Sequence, residues 1–208
     1  MATKKEELWE EFLEFNPNDT ELADVIDCIP AFCEKAATLL LSRDNVCNNN
    51  LLAVLRTSNV SMPLREKAAE KILVNAPTDD DLHLVIVSAT PAYALSAANY
   101  LLDRCKPNED TAFRDYMIAI VKHCPSLAAI AGQKILGNQP RRQDLEDLFC
   151  NVPELAEKAA NYLLDNSPTK SELALIAARV PSLQKRVRKA LGRSKGDVLR
   201  DMKHLSAD

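Results

Sequence analysis

Residues 153–164 read PELAEKAANYLL, and this stretch decides the fold. A proline opens it, a pair of alanines follows at Ala159 and Ala160, and a pair of leucines closes it at Leu163 and Leu164. On a helix of 3.6 residues per turn those four apolar positions fall within about 140° of one another, a single stripe. The stretch recurs along the chain with its proline and its pairs nearly in place, which predicts a repeat protein.

Working outward, the same proline position is held by Pro30, Pro63, Pro91, Pro125, Pro153 and Pro181, at intervals of 33, 28, 34, 28 and 28 residues. Alanine pairs stand at 36–37, 68–69, 97–98 and 159–160, with Ala131-Gly132 as a variant. The closing pairs are Leu40-Leu41, Ile72-Leu73, Leu101-Leu102, Ile135-Leu136 and Leu163-Leu164. Small residues let helices approach closely, and the branched pair a turn later fills the space beyond.

A second helix type precedes each of these. Its starts follow Pro17, Pro77, Pro107, Pro140 and Pro168, with Leu22, Leu82, Leu145 and Leu173 five residues after their prolines. Proline is suited to a first helical turn, and the acidic residues after it suit the positive end of a helix dipole. Each unit therefore reads as a hairpin, a first helix and a second helix split by a proline turn. The second unit starts instead at Asn48-Asn49-Asn50, and units two and four carry about five extra residues, expected in or beside the turn within the hairpin.

Residues 3–15 have the pair spacing of a lone second helix, with Leu8-Trp9 and Phe12-Leu13 as the pairs and Thr3 and Glu6 at capping-box spacing. Residues 197–205, with Val198, Leu199, Met202 and Leu205, read as a closing helix. The expected fold is all-α: one domain over 1–208, a right-handed α-solenoid of about six helical-hairpin repeats of 28–34 residues. In that reading 1–15 is a cap helix, 16–192 the repeats and 193–208 a basic C-terminal cap. Stacking is required, because one hairpin cannot bury its stripe alone.

The pattern P-[TN]-x-x-[DE]-L, then V/I-P-x-L-x-x-x-A-A-x-x-L-L, resembles the short HEAT-like helical repeats of bacterial proteins. It is also similar to armadillo and variant leucine-rich helical arrays. The resemblance spans residues 16 to about 192. It implies an adaptor and carries over no catalytic residue. The arginine and aspartate common at fixed places in HEAT hairpins do not recur here at a constant offset.

Composition agrees with short helices punctuated by turns: 47% hydrophobic, 5% aromatic, 11 Pro and 4 Gly. The six cysteines lack paired metal spacing and are expected as reduced thiols in a cytoplasmic protein. No export signal precedes the first helix, and no apolar run approaches the roughly 18 residues of a membrane span. There is no G-x-G-x-x-G, P-loop, H-E-x-x-H or G-x-S-x-G. His123-Cys124 is adjacent in sequence, but neighbours on a helix point about 100° apart, so a helix-end role is expected. Cys28 and Cys33 flank Pro30 and read as a packed thiol pair, since a closed zinc site wants four ligands. His83 reads as solvated or hydrogen-bonded. No metal, cofactor or catalytic residue is expected.

Two surfaces remain as binding candidates. Asn99-Tyr100 and Asn161-Tyr162 recur as AANYLL and flank the apolar stripe, and tyrosine is favoured at interfaces. Bracing a neighbouring repeat is the competing role for those tyrosines. Glu34-Lys35, Glu66-Lys67 and Glu157-Lys158 read as a solvated face. The other surface is basic. Residues 185–208 hold eight basic and three acidic residues, a net +5, leaving −9 over the rest of a chain whose total is −4. Lys185, Arg186, Arg188 and Lys189 form its helical part, read either as a solvated cap or as a docking patch. The expected partner is a protein, bound without catalysis. The second reading is a nucleic-acid binder using the basic end, though no aromatic residue there supports base stacking.

Overall fold

The computed structural model describes residues 3–106 and 112–192; the closing helix expected at 197–205 and the Pro107 turn lie outside them. Among the described residues all regular structure is helical. In chain order the helices are α1 (Lys4–Glu14), α2 (Asp19–Cys28), α3 (Cys33–Ser42), α4 (Asn48–Arg56), α5 (Met62–Val74), α6 (Asp79–Ser88) and α7 (Pro91–Arg104). Then come α8 (Phe113–His123), α9 (Pro125–Leu136), α10 (Arg142–Asn151), α11 (Pro153–Asp165), α12 (Lys170–Arg179), a 3-10 turn (Pro181–Leu183) and α13 (Gln184–Ala190). The chain divides into two compact units, Met1–Cys124 and Pro125–Asp208.

In the first unit α2 packs on α3, α4 on α5 and α6 on α7. The first helices α2, α4, α6 and α8 also pack in succession, as do the second helices α3, α5 and α7. In the second unit α10 packs on α11, α9 touches both, and α11 touches α13. Every alanine of the four pairs is fully buried, and so are Ile72, Leu101 and Ile135 behind them. The Ala131-Gly132 variant has a steric cause. A Cβ at Gly132 would meet the side chains of Leu155 and Leu148 at 2.6 and 2.7 Å. α1 carries the expected capping box between Thr3 and Glu6, and its Trp9 lies against Phe32 with ring centroids 5.5 Å apart.

Four of the turns that lead into first helices share one design. Asn16, Ala76, Gln139 and Ser167 are left-handed, with φ of 49°, 48°, 47° and 53°, and each is followed by a proline and then by the helix-capping residue. The expectation that these prolines occupy first helical turns is therefore corrected. Pro17, Pro77, Pro140 and Pro168 stand one residue ahead of the caps Asn18, Thr78, Arg141 and Thr169. The cap position needs a residue with a backbone N–H to give the box carboxylate, which proline lacks. The acids read as dipole partners close that box: Glu21, Asp81 and Asp144 accept from the cap N–H at 2.7, 2.9 and 2.7 Å. In the second helices Pro91, Pro125 and Pro153 do stand at the first position, where the absent N–H leaves no bond unmade.

The extra residues of unit two fall in 57–61, inside the hairpin as expected. Those of unit four do not. Only Cys124 separates α8 from α9, and the added length lies in 105–112, ahead of α8.

Two stability outcomes follow from this packing. Leu163 is 2% exposed, so Leu163→Asp should cost roughly 4 kcal/mol, the lost burial plus the desolvation of a carboxylate; a urea midpoint near the wild-type value would show the stripe unburied. Ala76 holds its left-handed conformation with a Cβ, so Ala76→Gly should stabilise by about 0.5–1 kcal/mol, the relieved strain less the unfolded-state entropy that glycine adds. In a chain this size that raises Tm by about 2–4 °C, and a lowered Tm would contradict it.

Candidate partner-binding face

The outward positions of the second helices are set by the buried pairs. The residue before the alanine pair and those two, three and six beyond its first member escape the stripe. On α11 these are Lys158, Asn161, Tyr162 and Asp165, and they line a hollow of about 580 Å³ with Gln133, Leu136 and Gly137 of α9. The equivalent positions of α3 are Lys35, Thr38, Leu39 and Ser42. With Glu34 they line a hollow of about 410 Å³ against Trp9 and Leu13 of α1. One place in the pattern thus makes a groove between successive second helices in each unit.

The predicted residues divide around this groove. Tyr162 is 44% exposed while its hydroxyl lies 3.5 Å from the Leu136 carbonyl, so it braces the neighbouring helix and still faces outward. Tyr100 is 50% exposed, and the amide of Asn99 donates to Leu95 of its own helix at 3.0 Å. Arg186 joins the Asn161–Tyr162 site. Its guanidinium donates to Asn161 Oδ1 and pairs with Asp165 at 2.6 Å. Arg186 therefore tethers α13 to α11, whereas Lys185, Arg188 and Lys189 are exposed on α13. The glutamate–lysine pairs are not only solvated: Glu34 accepts from the backbone N–H of Ser61 at 2.8 Å, ahead of α5, and Lys158 lines the groove.

Sequence reading missed the polar frame behind the groove. Arg43 donates to the Pro17 carbonyl and pairs with Asp19 at 2.7 Å, and Arg104 does the same to Pro77 and Asp79, the pair at 3.2 Å. Both tie the end of a second helix to the start of its own first helix. Between hairpins Asn48 donates to Asp81 at 3.0 Å and Arg142 to Glu172 at 3.0 Å. Asp81 and Glu172 are buried, so each needs that neighbour. A polar hollow of about 530 Å³ lies beside the first of these, lined by Asn45, Cys47, Asn48, Asn75, Thr78 and Asp81 among others. The Oδ1 of Asn48 is buried there without a hydrogen bond.

The histidine and cysteine expectations resolve locally. Cys124 is buried, and burial pushes its thiol pKa up, the reverse of an activated nucleophile, while His123 beside it is exposed. Cys33 is buried with its sulfur 3.2 and 3.3 Å from the carbonyls of Pro30 and Asn59, whereas Cys28 is exposed. His83 is half-buried against Tyr116, with ring centroids 5.6 Å apart. Burial lowers its pKa, against the opposing pull of Asp115 and Asp80. Among the described residues no group of three or more His, Cys, Asp or Glu could hold a metal ion, and no helix is long and apolar enough to cross a membrane.

Compared with known proteins, the chain matches no family model, no curated protein and no solved structure.

Glu172 offers a check on the frame. Burial raises its pKa, but the Thr169 backbone and hydroxyl bonds and the Arg142 charge outweigh it and leave the pKa below the ordinary 4.5. A carboxylate lowered on folding stabilises above its unfolded pKa and loses that contribution as pH falls through the folded one. Glu172→Gln should therefore lag the wild type most at neutral pH, the gap narrowing as pH drops below about 4.5. Urea midpoints across pH 3 to 7 test this, and a gap constant with pH would assign no role to the charge.

Proposed function

We propose that the chain is a non-catalytic helical-hairpin scaffold, an α-solenoid of HEAT-like character, that binds a segment of a partner protein along the outward face of its second helices. The observation that carries this reading is the groove in one register, about 580 Å³ between α9 and α11 and about 410 Å³ between α1 and α3. Its floor is fixed by buried pairs, while its rim varies in chemistry. Tyr162 is the proposed anchor in the groove between α9 and α11, and Tyr100, exposed at the same register of α7, is the proposed anchor outside it. An exposed tyrosine on a rigid helix gives large contact area at low entropic cost and keeps a polar tip.

The test is selection of displayed random peptides on the full chain. Peptides that bind should weaken at least roughly tenfold against Tyr162→Ala, the size of a hot-spot truncation. They should bind Tyr93→Ala, outside the groove lining, as they bind wild type. Peptides indifferent to Tyr162 and Tyr100 would count against the groove.

The second reading, a nucleic-acid binder, draws on the exposed Lys185, Arg188 and Lys189 of α13. A steep loss of oligonucleotide binding as salt rises would favour it, since phosphate contacts release counterions.

A further inference from the structure

The polar hollow beside Asp81 in the first unit has a counterpart in the second that the chain fills itself. Arg142, the first residue of α10, sends its guanidinium to Glu172, the buried box carboxylate of α12, at 3.0 Å. The same group donates to the carbonyls of Asn166 and Ser167 at 2.9 and 3.1 Å. One planar cation thus serves three acceptors at the start of a first helix.

Asn48 is the first residue of α4 and stands in the pattern where Arg142 stands in α10. Around Pro77, the residues Asn75, Ala76, Thr78 and Asp81 hold the places that Asn166, Ser167, Thr169 and Glu172 hold around Pro168. Asparagine is shorter and carries no charge. Its Nδ2 reaches Asp81 Oδ2, which also accepts from the Thr78 N–H. Asp81 is 6% exposed, and among the described residues its Oδ1 takes no hydrogen bond. Nor do the carbonyls of Asn75 and Ala76, or the buried Oδ1 of Asn48. Where the second unit has a guanidinium, the first has the hollow of about 530 Å³, with Asn48, Asn75, Ala76 and Asp81 in its wall. Among the described residues no cation lines it. Arg43, Lys71 and Arg104 are engaged with Asp19, the Arg43 carbonyl and Asp79. The start of α6 adds about half a positive charge, which the full charge of Asp81 outweighs, as that of Glu172 does at α12.

We propose that this hollow binds a guanidinium group from outside the chain, which takes at α6 the place that Arg142 takes at α12. The group donates to Asp81 Oδ1 and to the carbonyls of Asn75 and Ala76. The site is built on the starts of first helices and does not depend on the groove of the second helices.

Titration of the full chain, followed by NMR of backbone amides and asparagine side chains, tests this with N-acetylarginine methylamide, ethylguanidinium and N-acetyllysine methylamide. The arginine derivative should give saturable shifts at Ala76, Thr78 and the Asn48 side chain. It should bind at least about tenfold more tightly than the lysine derivative, whose point charge cannot bridge the three acceptors. Asn48→Arg should abolish the shifts, because it supplies the guanidinium from within, and far-UV circular dichroism confirms its fold. Asp81→Asn keeps an acceptor for the box and should weaken binding at least about tenfold. An arginine derivative that binds as tightly as ethylguanidinium assigns the site to an arginine in a polypeptide, and one that binds more weakly assigns it to a free small guanidinium compound; both sustain the proposal. Three results overturn it: no saturable shift, binding that survives Asn48→Arg, or a lysine derivative that binds as tightly.

Discussion

No hairpin in this chain can bury its own apolar stripe, and that shortage governs the rest of the structure. The second helices α3, α5, α7, α9 and α11 each present a flat patch of two small residues backed by a branched pair, and only a neighbouring helix at close range can cover it. Gly132 shows how tight the approach is, since even one methyl group there would collide with Leu148 and Leu155. Such packing tolerates little error in where the next hairpin begins. The left-handed residue followed by proline sets that position: one backbone reversal with a fixed φ on either side of it. The chain accepts strain at Ala76 and Gln139, ordinary residues in a conformation that favours glycine, to place the following helix.

Close stacking of helix starts creates a second demand. The box carboxylates of α6 and α12 end up buried at the junction with the preceding first helix, where an unpaired acid would be costly. An amide from Asn48 and a guanidinium from Arg142 meet them. The partners differ because the requirement is for a donor rather than for a residue type. The same logic explains Arg43 and Arg104, which tie helix ends to Pro17 and Pro77 from 26 and 27 residues away. An arginine is long enough to absorb one residue of drift in the turn, so the role is kept while the offset is not.

This divides what could be read in advance from what could not. The hairpins, their apolar pairs, the Thr3–Glu6 box and the outward placement of Tyr100 and Tyr162 follow from the 3.6-residue period and local capping rules, both written along one stretch of chain. The left-handed residues were hidden because Ala76, Gln139 and Ser167 lack the glycine signal, although the proline after each marked the place. The extra length of unit four was placed in the wrong turn because proline spacing counts residues without saying which side of a helix they fall on. The Arg186–Asn161–Asp165 tether and the grooves depend on neighbours some 25 residues away, and no local pattern encodes which side chain reaches across.

The contrast between fixed and variable positions bears on the proposed scaffold. The residue four beyond the first member of each buried pair is by period inward, and the one three beyond stands at the rim. At the rim the pattern runs Leu39, Lys71, Tyr100, Lys134 and Tyr162, an apolar, a cationic and an aromatic chemistry on one repeated geometry. Lys71 and Tyr162 both reach back to a carbonyl of the preceding second helix, Arg43 and Leu136 respectively, so the rim also braces the stack. The two carbonyls stand at different places in the pattern, seven and five residues beyond the first small residue, so an ammonium and a phenol each serve as the brace. Bracing leaves the ring of Tyr162 and the whole of Leu39 unaccounted for, and these are the surfaces that the proposed segment-binding face would use.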